Sequence, residues 1–464
     1  MTGRWLEILK AITLAFLVAL SVVLSYWLWM GPVYETDGGG AEPPPPLMSP
    51  EAVRLSLLGP ERIIVHLGQD KHTVVYPGSR EYERLWQAAL HVLASMSPVV
   101  AEAGTGYEIS GDALRRARAG TGMELVFHKY MPAGDWLALW GFAAEGFPAG
   151  EVMTNRLAFF AAENVAVYVK DGPAGGLRPL GFLAEGAAGL AAAVEEVAEK
   201  APPDYFDVAG LSGVPMAEGT YVPVRPPQLP LITCEDERPV EEYLASLFFE
   251  DIDVVRRIVE RDGAIIFTDG RRAVRYYPDG RMEYTAPVYE REGYVPDLLT
   301  DLAEAHRFIA QHGGWPAYPY LYDFRAVSRG DEGPAGFEFR FAFHLDGFSV
   351  VGDEVPVTVT VLEGSVTSYS RKVRLPLETR RPERLSVGFE RLLGILEERG
   401  ESLGEVLAGS SRVVDLYLAY HPGIRSREGE VFYPVWVVER ADMSRLYVNL
   451  YSGVTYEERS YEGR

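Results

Sequence analysis

VTVTVLEGSVTSYSR (residues 357–371) and LYVNLYSGVTYEER (residues 446–459) read alike. Each is an alternating run, an X-Gly step and a second alternating run, the pattern of an antiparallel hairpin with a two-residue turn. The likeness extends upstream. A helical period over 295–312 precedes strand-like stretches at 318–327, 337–344, 355–362 and 365–374. Another over 383–399 precedes stretches at 412–420, 431–439, 445–451 and 454–459. This predicts two copies of a helix packed on a four-stranded antiparallel sheet. Phe337, Phe339, Phe341 and Phe343 alternate with Glu338, Arg340 and Ala342, so one sheet face is expected buried and the other wet.

Working back toward the N-terminus, residues 264–268, 273–277 and 282–285 form an antiparallel meander joined at Asp269-Gly270 and Pro278-Asp279-Gly280, after a helix at 239–249. The proline cluster VPVRPPQLP (222–230) marks a domain boundary. Before it, a hairpin is expected at 62–67 and 71–76 around Gly68-Gln69-Asp70, and strands at 122–130, 155–160 and 165–170. Residues 81–96 carry the helical stripe Leu85, Ala88, Ala89, Val92, Leu93, and 181–200 read as an alanine-rich helix. The whole is an α+β chain, divided into 51–230, 231–378 and 379–464.

At the other end, AITLAFLVALSVVLSYWLWM (11–30) has no charge over twenty residues, roughly 30 Å as a helix and enough to span a bilayer. Arg4 and Lys10 precede it and Glu35, Asp37 and Glu42 follow, which places the N-terminus in the cytoplasm and the bulk outside. A cleaved signal peptide shares the apolar run, but Tyr26, Trp27 and Trp29 at its end suit a lipid interface better than a peptidase site. Small residues Ala15, Ala19, Ser21 and Ser25 share one half of the helix, a face on which a partner's helix can approach closely. Residues 31–50, with GGG and PPPP, read as a stalk.

The balance of 44 basic against 66 acidic residues, net −22, argues against nucleic acid or an anionic lipid surface as ligand. The single cysteine, Cys234, excludes an intrachain disulfide framework and reads as a structural thiol.

The run SYWLWMGPVYE ending the anchor, RYYPDGRMEYTAP (275–287), FYPVWVVE (432–439) and YVNLYSG (447–453) resemble the YycH family. The helix-plus-sheet halves are also similar to YycI proteins and PepSY-like modules. The resemblance covers the anchor and about 235–464. It implies a membrane-anchored extracytoplasmic regulator of a cell-wall two-component system. Such a regulator contacts the sensor histidine kinase through its transmembrane helix and outer domains, beside a YycI-type membrane protein. The family brings no catalytic residue.

No Gly-x-Ser-x-Gly elbow, P-loop or His-Glu-x-x-His helix is present, and no enzyme activity, cofactor or metal is expected. His66 and His72 flank the predicted hairpin turn and can meet on adjacent strands. A metal would need a third ligand, for which Asp70 is the local candidate, and two histidines beside a turn are usually surface polar residues. Glu235-Asp236-Glu237 and Glu250, Asp251, Asp253 lack the spacing of a calcium loop and read as solvated loops. Tyr318, Tyr320, Tyr322 and Phe324 beside Trp315-Pro316 read as a strand packing its rings, or as a ligand groove. The alternative to a regulator is an anchored binding module for a wall fragment or peptide.

Overall fold

The computed structural model describes residues 55, 57–98, 109, 111–142, 147, 149–173, 175–183, 187–208, 216–237, 241–249, 251, 254–316, 318–328, 333–352, 356–398, 413–426 and 429–457. The apolar run 11–30, the stalk, and with them Ala15, Ala19, Ser21, Ser25, Tyr26, Trp27 and Trp29 lie outside these residues. Among the described residues no helix is long and apolar enough to cross a membrane. The architecture is mixed α and β, with antiparallel sheets throughout.

The first sheet begins with β1 (Arg62–Gly68), which turns through Gln69 and Asp70, both left-handed at φ +54° and +58°, into β2 (Lys71–Val75). Alternation sends Ile63 and Val65 into the main core and sets Arg62, Ile64 and His66 on the opposite face. α1 (Arg80–Ser95) is capped by Ser79, whose side chain accepts the Tyr82 N–H at 3.2 Å. Leu85, Ala89, Val92 and Leu93 of the expected stripe are buried, with Trp86 beside them. Then follow β3 (Ser97–Pro98), α2 (Gly111–Arg118), β4 (Thr121–Pro132), α3 (Ala133–Leu139), β5 (Met153–Ala161), β6 (Val165–Lys170), β7 (Leu177–Leu183), α4 (Ala187–Glu199), β8 (Tyr205–Asp207) and β9 (Tyr221–Pro223). The sheet order is β3-β7-β6-β5-β4-β1-β2-β8-β9, with α4 lying on β1, β4 and β5 and against α1. The alanine-rich helix is shorter than expected because residues 181–183 belong to β7. A Cβ at Gly181 would lie 2.8 Å from the Ser97 carbonyl oxygen, so the glycine serves the close approach of β3.

Past the proline cluster come β10 (Leu231–Asp236), α5 (Glu241–Phe248), β11 (Arg256–Val259), β12 (Ile265–Thr268), β13 (Ala273–Tyr276) and β14 (Met282–Thr285). The first repeat is α6 (Leu298–Gln311), β15 (Pro319–Ser328), β16 (Pro334–Leu345), the short β17 (Phe348–Ser349), β18 (Val357–Leu362) and β19 (Ser365–Arg371). The meander and the repeat form one sheet, β11-β12-β13-β14-β19-β18-β16-β15, because β14 pairs with β19. α6 packs across β16, β18 and β19. Ala342 was expected on a wet face and is buried instead, as is His344 two residues on, because β4 of the first sheet covers this end and brings His128 within 5.8 Å of the His344 ring.

The second repeat is α7 (Phe389–Glu398), β21 (Val413–Ser426), β22 (Gly429–Arg440), β23 (Arg445–Asn449) and β24 (Thr455–Glu457), preceded by β20 (Arg374–Arg380). Its strands neighbour one another as those of the first repeat do. However, β10 inserts between β20 and the start of β22, end to end with β23 along the same edge. The two hairpins differ at the turn. Glu363 and Gly364, at φ +53° and +72°, make the two-residue turn, with Leu362 opposite Ser365. In the second hairpin Val448 stands opposite Thr455. There the Asn449 side chain accepts the N–H groups of Tyr451 and Ser452, and this Asx turn widens the loop.

Two cores join these layers across the boundaries. One runs from Leu57, Trp86 and Phe127 to Phe267, Ile309, Phe341 and Val359. The other unites Val208, Met216 and Val222 with Leu392, Leu418, Trp436 and Leu446 of the second repeat.

Candidate functional site

Buried charges interrupt the apolar runs of the first sheet: Arg62 in β1, Glu124 in β4, Arg156 in β5 and Lys170 in β6. A charge placed there requires partners at hydrogen-bond distance. Arg62 Nη2 donates to Asp415 Oδ2 of β21 at 2.6 Å, and Arg156 Nη2 donates to the same oxygen at 2.8 Å. Arg62 Nη1 donates to Glu61 at 2.8 Å, and Glu61 in turn accepts Ser349 Oγ of β17 at 2.7 Å. Arg156 also reaches Glu124 at 3.2 Å and the Gly219 carbonyl at 2.7 Å, and Arg118 donates to Glu124 at 2.8 Å. Three guanidiniums therefore face three carboxylates. Burial alone would raise the Glu124 carboxyl, but Arg118, the His66 hydrogen bond and Arg156 hold it well below the ordinary range. Lys170, desolvated and beside Arg156, is pushed down to about 7.

His66 and His72 do meet across β1 and β2, as register partners with their Nδ1 atoms 3.0 Å apart. They are buried, contrary to the surface reading, because Tyr221 of β9 closes over both rings. His66 Nε2 lies 3.2 Å from Glu124, while His72 Nε2 lies 3.5 Å from Asp70. An ionised Glu124 requires a proton on His66 Nε2, so His66 Nδ1 accepts from His72 Nδ1. The groups form a line rather than converging on a point, and among the described residues no three His, Cys, Asp or Glu could hold a metal ion.

The aromatic series has two fates. Tyr322 and Phe324 are half-buried beneath cations, Arg340 at 5.7 Å and Lys129 at 4.1 Å, and Trp315 packs edge-on against Phe341 in the core. Tyr318 instead is 57% exposed, at φ +50°, with its ring 3.5 Å from where a Cβ at Gly78 would stand. It divides two clefts of about 480 and 410 Å³ between the first sheet and the first repeat. Glu81, Lys200 and Asp346 line the larger, and Tyr82, Trp86, Tyr320 and His344 the smaller. His344 Nδ1 lies 3.1 Å from the Tyr318 carbonyl, to which it donates, and its Nε2 has no partner among the described residues. Burial, reinforced by His128, holds His344 neutral down to about 3.

Cys234 is buried in β10 with its thiol pushed up to about 12 by desolvation, as a structural thiol should be. The acidic run 235–237 ends a strand rather than forming a solvated loop. Glu237 accepts Arg371 at 2.6 Å, and Asp236 lies 3.8 Å from Arg374. Asp251 is exposed, and Glu250 and Asp253 lie outside the described residues.

No family model matches the sequence, and no curated protein matches it. Among solved structures, YycH from Bacillus subtilis superimposes with a TM-score of 0.53 at 12% identity, covering 88% of this chain and 97% of that one. The chain has a YycH-like fold. An uncharacterized protein from Eubacterium rectale ATCC 33656 matches with a TM-score of 0.33 at 12% identity over 50% of this chain and 86% of its own. The Bacillus megaterium YpeB C-terminal domain matches with a TM-score of 0.24 at 11% identity over 48% and 100%. The likeness to YycH spans the first sheet as well as both repeats, whereas the sequence resemblance reached only the anchor and the C-terminal half.

Asp415→Asn leaves two buried guanidiniums facing a neutral amide, so urea unfolding should show a loss of about 3 kcal/mol. His344 supplies a second test. Its folded pKa is depressed, so the unfolded chain takes up the proton first, and stability is lost as pH falls from about 6.5 toward about 3. His344→Gln should reduce the slope of unfolding free energy between those values by up to about 1.4 kcal/mol per pH unit.

Proposed function

We propose that this chain is a non-catalytic, membrane-anchored accessory regulator of a cell-wall two-component system. The observation that carries the reading is the YycH-like fold over 88% of the chain. The anchor motif and the hairpins that resemble that family support it. In this reading residues 11–30 remain in the bilayer with the N-terminus in the cytoplasm. Ala15, Ala19, Ser21 and Ser25 face the span of a sensor histidine kinase, a YycI-type protein sits beside them, and Tyr26, Trp27 and Trp29 set the depth. A regulator that bound both kinase states equally would move nothing, and a tenfold shift requires about 1.4 kcal/mol of differential affinity. That each buried carboxylate of the network is held by at least one guanidinium supports a role without a reaction centre.

Replacing Ala15 and Ala19 with leucine should weaken association with the kinase by about 1 kcal/mol, roughly fivefold. Membrane insertion should be unchanged, and co-purification from membranes measures both. Association that survives this change and an unrelated replacement span would remove the helix face from the mechanism.

The clefts at Tyr318 favour a second reading, in which the outer region binds a peptide or wall fragment and the span is a tether. Tyr318→Ala should then abolish fragment binding, followed by isothermal titration, and leave kinase association intact.

A further inference from the structure

Strand β11 ends its sheet and bonds to β12 alone among the described strands. Its four residues are all exposed, with Ile258 at 47% and Val259 at 59%, and Val254 just before it at 66%. An open edge can take a further strand, and proteins ordinarily blunt it with proline, charged side chains, brevity or a cover; β11 is short, at four residues, and carries Arg256 and Arg257, so a strand that adds to it must complement those charges. The exposed edge strand β20 carries Pro376. VVRRIVE (254–260) carries neither proline nor glycine.

The hydrogen-bond phase of the hairpin restricts how a new strand can join. Glu260 N donates to the Ala264 oxygen at 2.8 Å, so residues 256, 258 and 260 direct their backbone groups toward β12. The alternate set, which includes Val259, points outward. An antiparallel two-fold pairing that uses the outward set can be centred on residue 257, 258 or 259. Centring on 257 sets Arg257 opposite its own copy, and centring on 259 sets Arg257 opposite Arg261. Centring on Ile258 sets Ile258 against Ile258 and Arg256 against Glu260, twice by symmetry. Glu260 already holds Arg275 on its own chain and would take a second cation from its partner.

We propose that two copies of this chain associate edge to edge through β11, about a two-fold axis at Ile258. The occupant is a second copy because the strand's charge pattern is its own complement in that register. Like charges directly opposite would disfavour the neighbouring registers.

The test uses the full chain in liposomes, in a Cys234→Ser background, under mild oxidation. Ile258→Cys lies at the axis as a non-hydrogen-bonded pair, with Cβ atoms about 5 Å apart, and should give a disulfide-linked dimer. Val254→Cys is more exposed than Ile258 but sits about 25 Å from its copy at the rise of a strand, so it should link at least about tenfold less. Adding Arg256→Glu to Ile258→Cys should suppress the dimer, and mixing that variant with Glu260→Arg, Ile258→Cys should restore it. Equal linking at 254 and 258, or no linking at 258 in protein with unchanged circular dichroism, would overturn the proposal. So would linking at 258 to a different protein in place of a second copy.

Discussion

One carboxylate oxygen of Asp415 receives guanidinium groups from two strands of the first sheet, more than 250 residues away in sequence. Apolar contact between sheets is favourable in many relative placements, because the hydrophobic effect has no direction. A buried guanidinium accepts far fewer. Arg62 and Arg156 each need Asp415 within bonding distance, and Arg156 is also held by Glu124 and the Gly219 carbonyl. Buried ion pairs add little net stability over apolar packing, but misplacing one leaves a charge uncompensated. The network therefore specifies how β21 meets the first sheet, while the shared cores supply the driving force. Ser349 on Glu61 extends the same restriction to β17.

The sheets and helices were legible because their signals are local. Period-two alternation, X-Gly and Asp-Gly steps and the serine cap each act over a few residues, and the repeat showed twice. The charge network was not legible, because arginines and carboxylates are frequent throughout a chain that is 24% charged. A signal did exist in the form of single charges inside apolar runs: Arg62 before Ile-Ile-Val, Glu124 within Met-Glu-Leu-Val-Phe, Arg156 before Leu-Ala-Phe-Phe. Alternation alone cannot tell whether such a charge faces water or a second sheet. The capture of β10 by the second repeat was equally hidden, since strand pairing over about 200 residues leaves no local trace.

The rings of 318–324 show the same division between local and distant cause. Their alternation predicted a strand, and β15 is one, but what covers each ring is set by other segments. Lys129 of β4 reaches Phe324 and donates to Asp323 at 2.5 Å, so that end is closed by charge. At the other end Tyr318, Asp346 and Gly347 all have left-handed backbones, as does Gly78 facing them. A Cβ on Gly347 would stand 2.7 Å from the Pro77 oxygen, so two turns touch backbone to backbone there. A non-glycine residue in that conformation costs about 1–2 kcal/mol. At Tyr318 the cost is offset by its carbonyl, which accepts both the backbone N–H and the ring Nδ1–H of His344. The contact between the first sheet and the first repeat is thus pinned by charge at one end. At the other it is held by two strained turns that keep a tyrosine ring standing between two open clefts. A ligand entering either cleft would meet a stretch of that boundary where left-handed backbone, rather than ion pairing, sets the geometry.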